Sequence, residues 1–156
     1  MREIRAGLWV GSIRDCVMSD YRRWVVHACK SPCHQRVLNY QGSLGQDHDH
    51  YLSYRRGNEL YLNMIDPREP LFRSRMFLDF LDFADQAWSL GKELLIHCNK
   101  AESRAPSLAL LFMAKRLSEL NDSSYQLARS EFEDLYPDYR PGQGLERYLT
   151  DNWHQL

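Results

Sequence analysis

Cys98 ends a short apolar run, Leu94-Leu95-Ile96-His97, and Arg104 follows it after Asn99-Lys100-Ala101-Glu102-Ser103, with Pro106 just beyond. A cysteine in such a place is either a small core residue, as buried cysteines commonly are, or a nucleophile. The order of residues favours the nucleophile. A parallel strand would deliver Cys98 to the carboxyl edge of a sheet, where open α/β folds place their ligands. The loop that follows would present backbone N–H groups and a helix N-terminus to an anion. Arg104 adds a planar fork suited to two oxygens of a phosphate. The same positive groups favour the thiolate form of Cys98, the form that attacks. Pro106 is expected at the first position of the helix that closes the loop.

His97-Cys98 and Arg104, five residues apart, resemble the His-Cys-x5-Arg signature of the cysteine-dependent protein tyrosine phosphatases, in their small dual-specificity-like branch. The resemblance implies a phosphocysteine intermediate on Cys98, with Arg104 and the amides of Asn99, Lys100, Ala101, Glu102 and Ser103 holding the phosphoryl oxygens. It gives His97 a supporting role, holding the loop and tuning the thiol from behind. It also implies a general acid in the loop after an upstream strand, which places Asp66 of Asp66-Pro67-Arg68-Glu69-Pro70 in that role. The competing reading of Asp66 is a helix N-cap, with Glu69 completing a capping box; Pro70 weakens it, because proline spoils a continuing helix. The phrase Gly7-Leu8-Trp9-Val10-Gly11-Ser12 is similar to the opening strand of the same branch.

Two positions depart from the family pattern. Ala101 stands where glycine is usual, at a backbone position that alanine dislikes. Ala105 stands where serine or threonine usually follows the arginine, and that hydroxyl assists hydrolysis of the intermediate. The phosphatases of regenerating liver also carry alanine there, so the change is expected to slow turnover rather than forbid it.

The elements that must position these groups follow from patterning. The chain has 156 residues, 44% of them hydrophobic and 26% charged, with a formal net charge of −1. Those values predict one globular domain over residues 1–156 with a real core. They advertise neither nucleic acid nor a membrane as partner. Met1-Arg2-Glu3-Ile4-Arg5 lacks the apolar segment of a signal peptide, and Cys16, Cys29, Cys33 and Cys98 read as thiols of a reducing compartment, so a cytoplasmic chain is expected.

Gly7–Gly11, Arg23–Cys29, Glu59–Ile65 and Glu93–His97 read as strands, and Ser12 as the cap of a short helix through Met18. Helices are expected from Phe72 to Leu90, stopped by Gly91, from Pro106 to Leu120, from about Ser124 to Tyr136, and through Leu145, Tyr148, Leu149 and Trp153. The expected fold is α/β, a mainly parallel central sheet flanked by helices, as in the protein tyrosine phosphatases. Residues 30–58 are the obscure part. Cys29, Cys33, His34, His48 and His50 match no compact zinc-finger spacing, and a solvated loop accounts for the histidines, so no metal is assigned. Arg55 and Arg56 read as a solvated pair or, less readily, as a basic rim for an anionic substrate.

The resemblance implies a phosphatase of phosphotyrosine, with phosphoserine and phosphothreonine left open, acting on a phosphorylated protein substrate without a cofactor. Three alternatives stand beside it. A catalytically weak or dead phospho-binding module would keep the same pocket. A lipid or inositol phosphatase is disfavoured by Glu102, whose charge would repel a polyphosphorylated ring. A rhodanese-like enzyme is disfavoured by the placement of Asp66 and by the run of helices after Pro106.

Overall fold

The central strands are built from near-continuous apolar runs because both of their faces are covered. The computed structural model describes residues 1–156 and contains a six-stranded sheet in the order β1-β2-β6-β3-β5-β4. The strands are β1 (Arg2–Arg5), β2 (Leu8–Gly11), β3 (Arg23–His27), β4 (Ser53–Arg56), β5 (Glu59–Leu62) and β6 (Glu93–His97). The four inner strands run parallel, while β1 and β4 pair antiparallel at the two edges. The sheet is therefore mixed around a parallel centre. β1 and β4 are the strands that patterning missed, since four mostly polar residues apiece carry no apolar signal.

Alternation along the strands sorts their residues onto two faces. Trp24, Val26, Ala28, Leu60, Leu62, Leu94, Ile96 and Cys98 point into one core of 36 buried residues. The helices α2 (Ser74–Ser89), α3 (Arg104–Lys115), α4 (Tyr125–Leu135) and α5 (Gln143–Asn152) supply the rest of it. On the opposite face, Cys29, Cys33 and Tyr61 form a small cluster of their own. It is covered by a helical turn at Lys30–His34 and the short helix α1 (Gln35–Leu38).

Helix α3 is buried at ten of its twelve positions, Ala105 through Ala114. A helix apolar all round belongs in the middle of a domain, and this one anchors the loop that precedes it. Helix α2 carries its aromatic stripe inward, with Phe77, Phe80 and Phe83 buried. It ends in a Schellman motif: Lys92 N–H donates to Ala87 O at 3.0 Å, Gly91 N–H donates to Trp88 O at 2.9 Å, and Gly91 takes φ +66°. Helix α4 starts where expected, with the Ser124 hydroxyl accepting from Leu127 N–H.

Several expected boundaries move. Ser12 caps a single 3₁₀ turn, Ile13–Asp15, rather than a helix through Met18, because Asp15 closes a capping box and the chain leaves at Cys16. Helix α3 opens at Arg104, so Pro106 is its third residue; the N–H that proline lacks is still one the first turn leaves free. It stops at Lys115 rather than Leu120, since Leu117 N–H turns back to Phe112 O and Ser118 takes φ +54°. No helix begins at Asp66, because α2 starts at Ser74 with Arg73 as its N-cap; the capping-box reading of Asp66 and Glu69 is not realised. No helix is long and apolar enough to cross a membrane.

Candidate active site

Cys98 leaves the end of β6 at the carboxyl edge of the parallel strands, 2% exposed, its N–H donating to Gly11 O at 3.2 Å. Residues 99–103 then loop into α3. None of the backbone N–H groups from Asn99 to Ser103 donates to a protein acceptor, while the carbonyls of the same loop are taken up from outside. Ile13 N–H donates to Asn99 O at 3.2 Å, Tyr136 O–H to Ala101 O at 2.9 Å, and Arg140 N–H to Glu102 O at 2.7 Å. A loop held by its carbonyls, with five successive amides left free at a helix N-terminus, has the chemistry to receive an anion.

Arg104, the first residue of α3, lies across this loop. Its guanidinium donates to Met64 O at 2.9 Å and to Asn99 Oδ1 at 2.6 Å, and its Nε is buried without a protein partner. Asn99 also donates through Nδ2 to Ser31 O at 3.2 Å, so it pins Arg104 and ties the loop to the segment after β3. Sequence reasoning placed Asn99 in the loop but missed this use of its side chain. Lys100 and Glu102 are exposed, and they line a cavity of about 360 Å³ with Ala101, Tyr136, Asp138 and Arg140. Ala101 takes φ +62°, the left-handed conformation that the sequence comparison expects of a glycine. Ala105 is fully buried in the first turn of α3.

Asp66 is exposed in the irregular segment after β5, two residues beyond the carbonyl that receives Arg104. The turn before α5 carries it to the loop. Its carboxylate lies against Gly142, Gly142 N–H donates to Ser103 Oγ at 2.8 Å, and Gly144 N–H donates to Pro67 O at 3.1 Å. Residues 141–143 lead from that turn into Gly144 in the first turn of α5. The two glycines are needed because a Cβ on Gly142 would overlap the Asp66 carboxylate, and one on Gly144 would overlap the Pro67 and Glu69 carbonyls.

Strand alternation turns the His97 side chain to the face opposite Cys98, behind the loop, where its Nε2 meets His27 Nδ1 at 2.7 Å. Cys29, Cys33, His34, His48 and His50 do not converge on one point. His34 is buried, not solvated, and bonds Tyr40 Oη at 2.8 Å and His50 O at 3.0 Å, while Cys33 joins a different group, Cys16, His27 and His97. Arg55 and Arg56 are spoken for: Arg55 lies over Trp24 and Phe83 and donates to Gln86 Oε1, and Arg56 pairs with Glu59 at 2.7 Å.

No family model matches the chain, and no curated protein matches it in sequence. Solved structures do match in three dimensions. DUSP15 superposes with a TM-score of 0.67 at 16% identity, over 98% of this chain and 86% of that one. The human tyrosine phosphatase-like serine/threonine/tyrosine-interacting protein gives 0.67 at 17% identity, over 98% and 95%. OH1 from the Orf virus, described as a tyrosine phosphatase with triple substrate specificity, gives 0.52 at 13% identity, over 97% and 84%. The fold is that of the small dual-specificity phosphatases.

Proposed function

We propose that the chain is a cysteine-dependent phosphatase that hydrolyses phosphotyrosine in proteins through a phosphocysteine on Cys98. The observation that carries this reading is the run of free amides from Asn99 to Ser103 above a buried cysteine, closed by an arginine whose Nε has no protein partner. Such an array matches the equatorial oxygens of a phosphoryl group, and catalysis of its transfer is mostly positioning and charge stabilisation.

In the first step the Cys98 thiolate attacks phosphorus in line. The bond from phosphorus to the ester oxygen breaks, and Asp66 gives that oxygen its proton. In the second step Asp66 takes a proton from water, the water oxygen bonds to phosphorus, and the sulfur–phosphorus bond returns its electron pair to Cys98. Arg104 and the loop amides hold the phosphoryl oxygens throughout.

A second reading keeps the pocket and drops the turnover. It is favoured by the left-handed conformation of Ala101 and by Ala105, which offers no hydroxyl to the leaving thiolate. Rapid-quench trapping with a labelled aryl phosphate decides between them. An acid-stable, Cys98-dependent phosphoenzyme followed by steady release of phosphate is the expected result. Binding of phosphate without any phosphoenzyme would leave a phospho-binding module.

A further inference from the structure

We infer that Cys16, His27, Cys33 and His97 form a binding site for one soft divalent cation, zinc first, on the face of the sheet opposite Cys98. The site is independent of the phosphatase reading, and no spacing in the sequence groups its residues. The fold assembles it from three strand ends. His27 and His97 are register partners on the neighbouring parallel strands β3 and β6, so their side chains stand side by side on one face. Cys16 ends the 3₁₀ turn that follows β2, and Cys33 lies in the helical turn that follows β3.

One candidate ligand atom from each of the four residues lies within 4.8 Å of all the others. Zinc takes four such ligands tetrahedrally, with bonds of about 2.3 Å to sulfur and about 2.0–2.1 Å to nitrogen. The edge from a sulfur to a nitrogen of that tetrahedron is then about 3.6 Å. Cys16 Sγ already lies 3.6 Å from His27 Nδ1. His27 Nδ1 and His97 Nε2, at 2.7 Å, would have to part by about 0.6 Å to reach the corresponding nitrogen–nitrogen edge. Small side-chain rotations suffice for that, with the His27 ring sliding on Tyr61, on which it stacks with ring centroids 4.2 Å apart.

The two imidazoles are almost fully buried, and the nitrogens that would face a cation, His27 Nδ1 and His97 Nε2, meet only each other and the Cys16 sulfur. Two thiolates and two neutral imidazoles around a divalent ion carry no net charge, so the complex costs little to bury. The route in is open, since Cys16, His27 and Cys33 line a cavity of about 390 Å³. A cation here would knit the ends of β2, β3 and β6 together one residue before Cys98.

The test is titration of the reduced chain, stripped with a chelator, with zinc alone and then with cobalt(II) as a spectroscopic probe. One equivalent should bind, and the cobalt complex should show the intense visible bands of a tetrahedral site with a thiolate-to-metal charge-transfer band. Losing even an outer partner of a metal ligand costs 10–100-fold in affinity, so Cys16→Ser, at an exposed position, should weaken binding at least about 100-fold. Cys33→Ser should behave likewise, while Cys98→Ser should keep the spectrum. The proposal is overturned if the folded, reduced chain takes up no stoichiometric zinc, if Cys16→Ser binds as the parent does, or if only Cys98→Ser abolishes binding. None of these readouts depends on phosphatase activity.

Discussion

The Asp66 carboxylate packs against the bare Cα of Gly142, and the N–H of that glycine donates to Ser103 in the loop that follows Cys98. Three segments remote in sequence thus meet at one point: the exit from β5, the turn before α5 and the anion loop. The contact converts an exposed, otherwise loosely held aspartate into one with a set position. Positioning of this kind is what general acid catalysis needs, because a carboxyl group must lie within hydrogen-bond reach of the oxygen it protonates.

Asp66→Asn should lower kcat by about 10²–10⁴-fold, the usual scale for losing a general acid, and flatten one limb of the pH–rate profile. Gly142→Ala should produce part of the same loss by pushing Asp66 aside, on the order of ten-fold for each 1.4 kcal/mol of displaced stabilisation. The measurement is kcat across aryl phosphates of graded leaving groups, on both variants and on the double variant. If Gly142→Ala slows poor and good leaving groups equally, or adds its full effect on top of Asp66→Asn, the two residues do not act as a unit.

Ala101 sits at φ +62°, a conformation that costs an L-residue about 1–2 kcal/mol relative to glycine. Ala101→Gly should therefore stabilise the chain by about 1 kcal/mol, after the larger entropy of the unfolded glycine is deducted. The midpoint of urea unfolding should rise with an unchanged slope. A lower midpoint would show that the Ala101 methyl contributes packing worth more than the strain it carries.

Arg104→Lys should impair binding and turnover together. A lysine is a point charge and cannot at once reach Met64 O, Asn99 Oδ1 and a phosphoryl oxygen. Both KM for an aryl phosphate and the inhibition constant of phosphate should rise, and kcat should fall. Unchanged values for all three would take Arg104 out of the pocket.

Much of this arrangement was legible in order but not in register. The apolar run ending at Cys98 and the helix after it announced the strand–loop–helix unit, because burial on both faces leaves an unbroken apolar signal. Ala101 could be singled out because the family it resembles has glycine at that position, and its φ of +62° is one that glycine adopts more readily. What patterning could not reach were contacts between distant segments: Gly142 beneath Asp66, Asn99 bridging Arg104 and Ser31, Tyr136 propping the loop. His34 misled for the same reason: it lies in a polar stretch yet is buried.

His34 makes stability depend on pH. Its Nε2 faces the His50 carbonyl, so that nitrogen carries the proton and Nδ1 accepts from Tyr40. Burial favours the neutral ring and lowers its pKa to about 4; the charges of His48, His50 and Lys30 add to the effect, while the hydrogen bond to the His50 carbonyl works against it. The unfolded chain binds this proton near pH 6.5 and the folded chain only near pH 4, so stability should fall as pH drops through that window. The loss from this group is about 3 kcal/mol at most. In His34→Gln the slope of unfolding free energy against pH between those values should shrink by about one proton. An unaltered slope would mean that other groups carry it.

The last prediction concerns Ala105, fully buried in the first turn of α3 and next to Arg104. A two-step enzyme runs at the rate of its higher barrier, and the hydroxyl missing here should raise only the second. In the proposed mechanism, formation of the phosphocysteine uses Arg104, the free amides and Asp66, all of which are present. Its breakdown must expel the Cys98 thiolate, and a hydrogen bond to a charged group is worth about 1.5–3 kcal/mol. That corresponds to about ten- to hundred-fold in rate. The parent chain should therefore release a burst of phenol, then turn over slowly at a rate that barely depends on the leaving group. Ala105→Ser adds one oxygen at a position where α3 meets the loop, so it should raise kcat and shrink the burst. Single-turnover phosphorylation of Cys98 should stay the same. Rapid-quench measurements on both chains separate the steps. Absence of a burst in the parent, with no gain in the variant, would place the slow step at phosphorylation and point back to the strained backbone of Ala101.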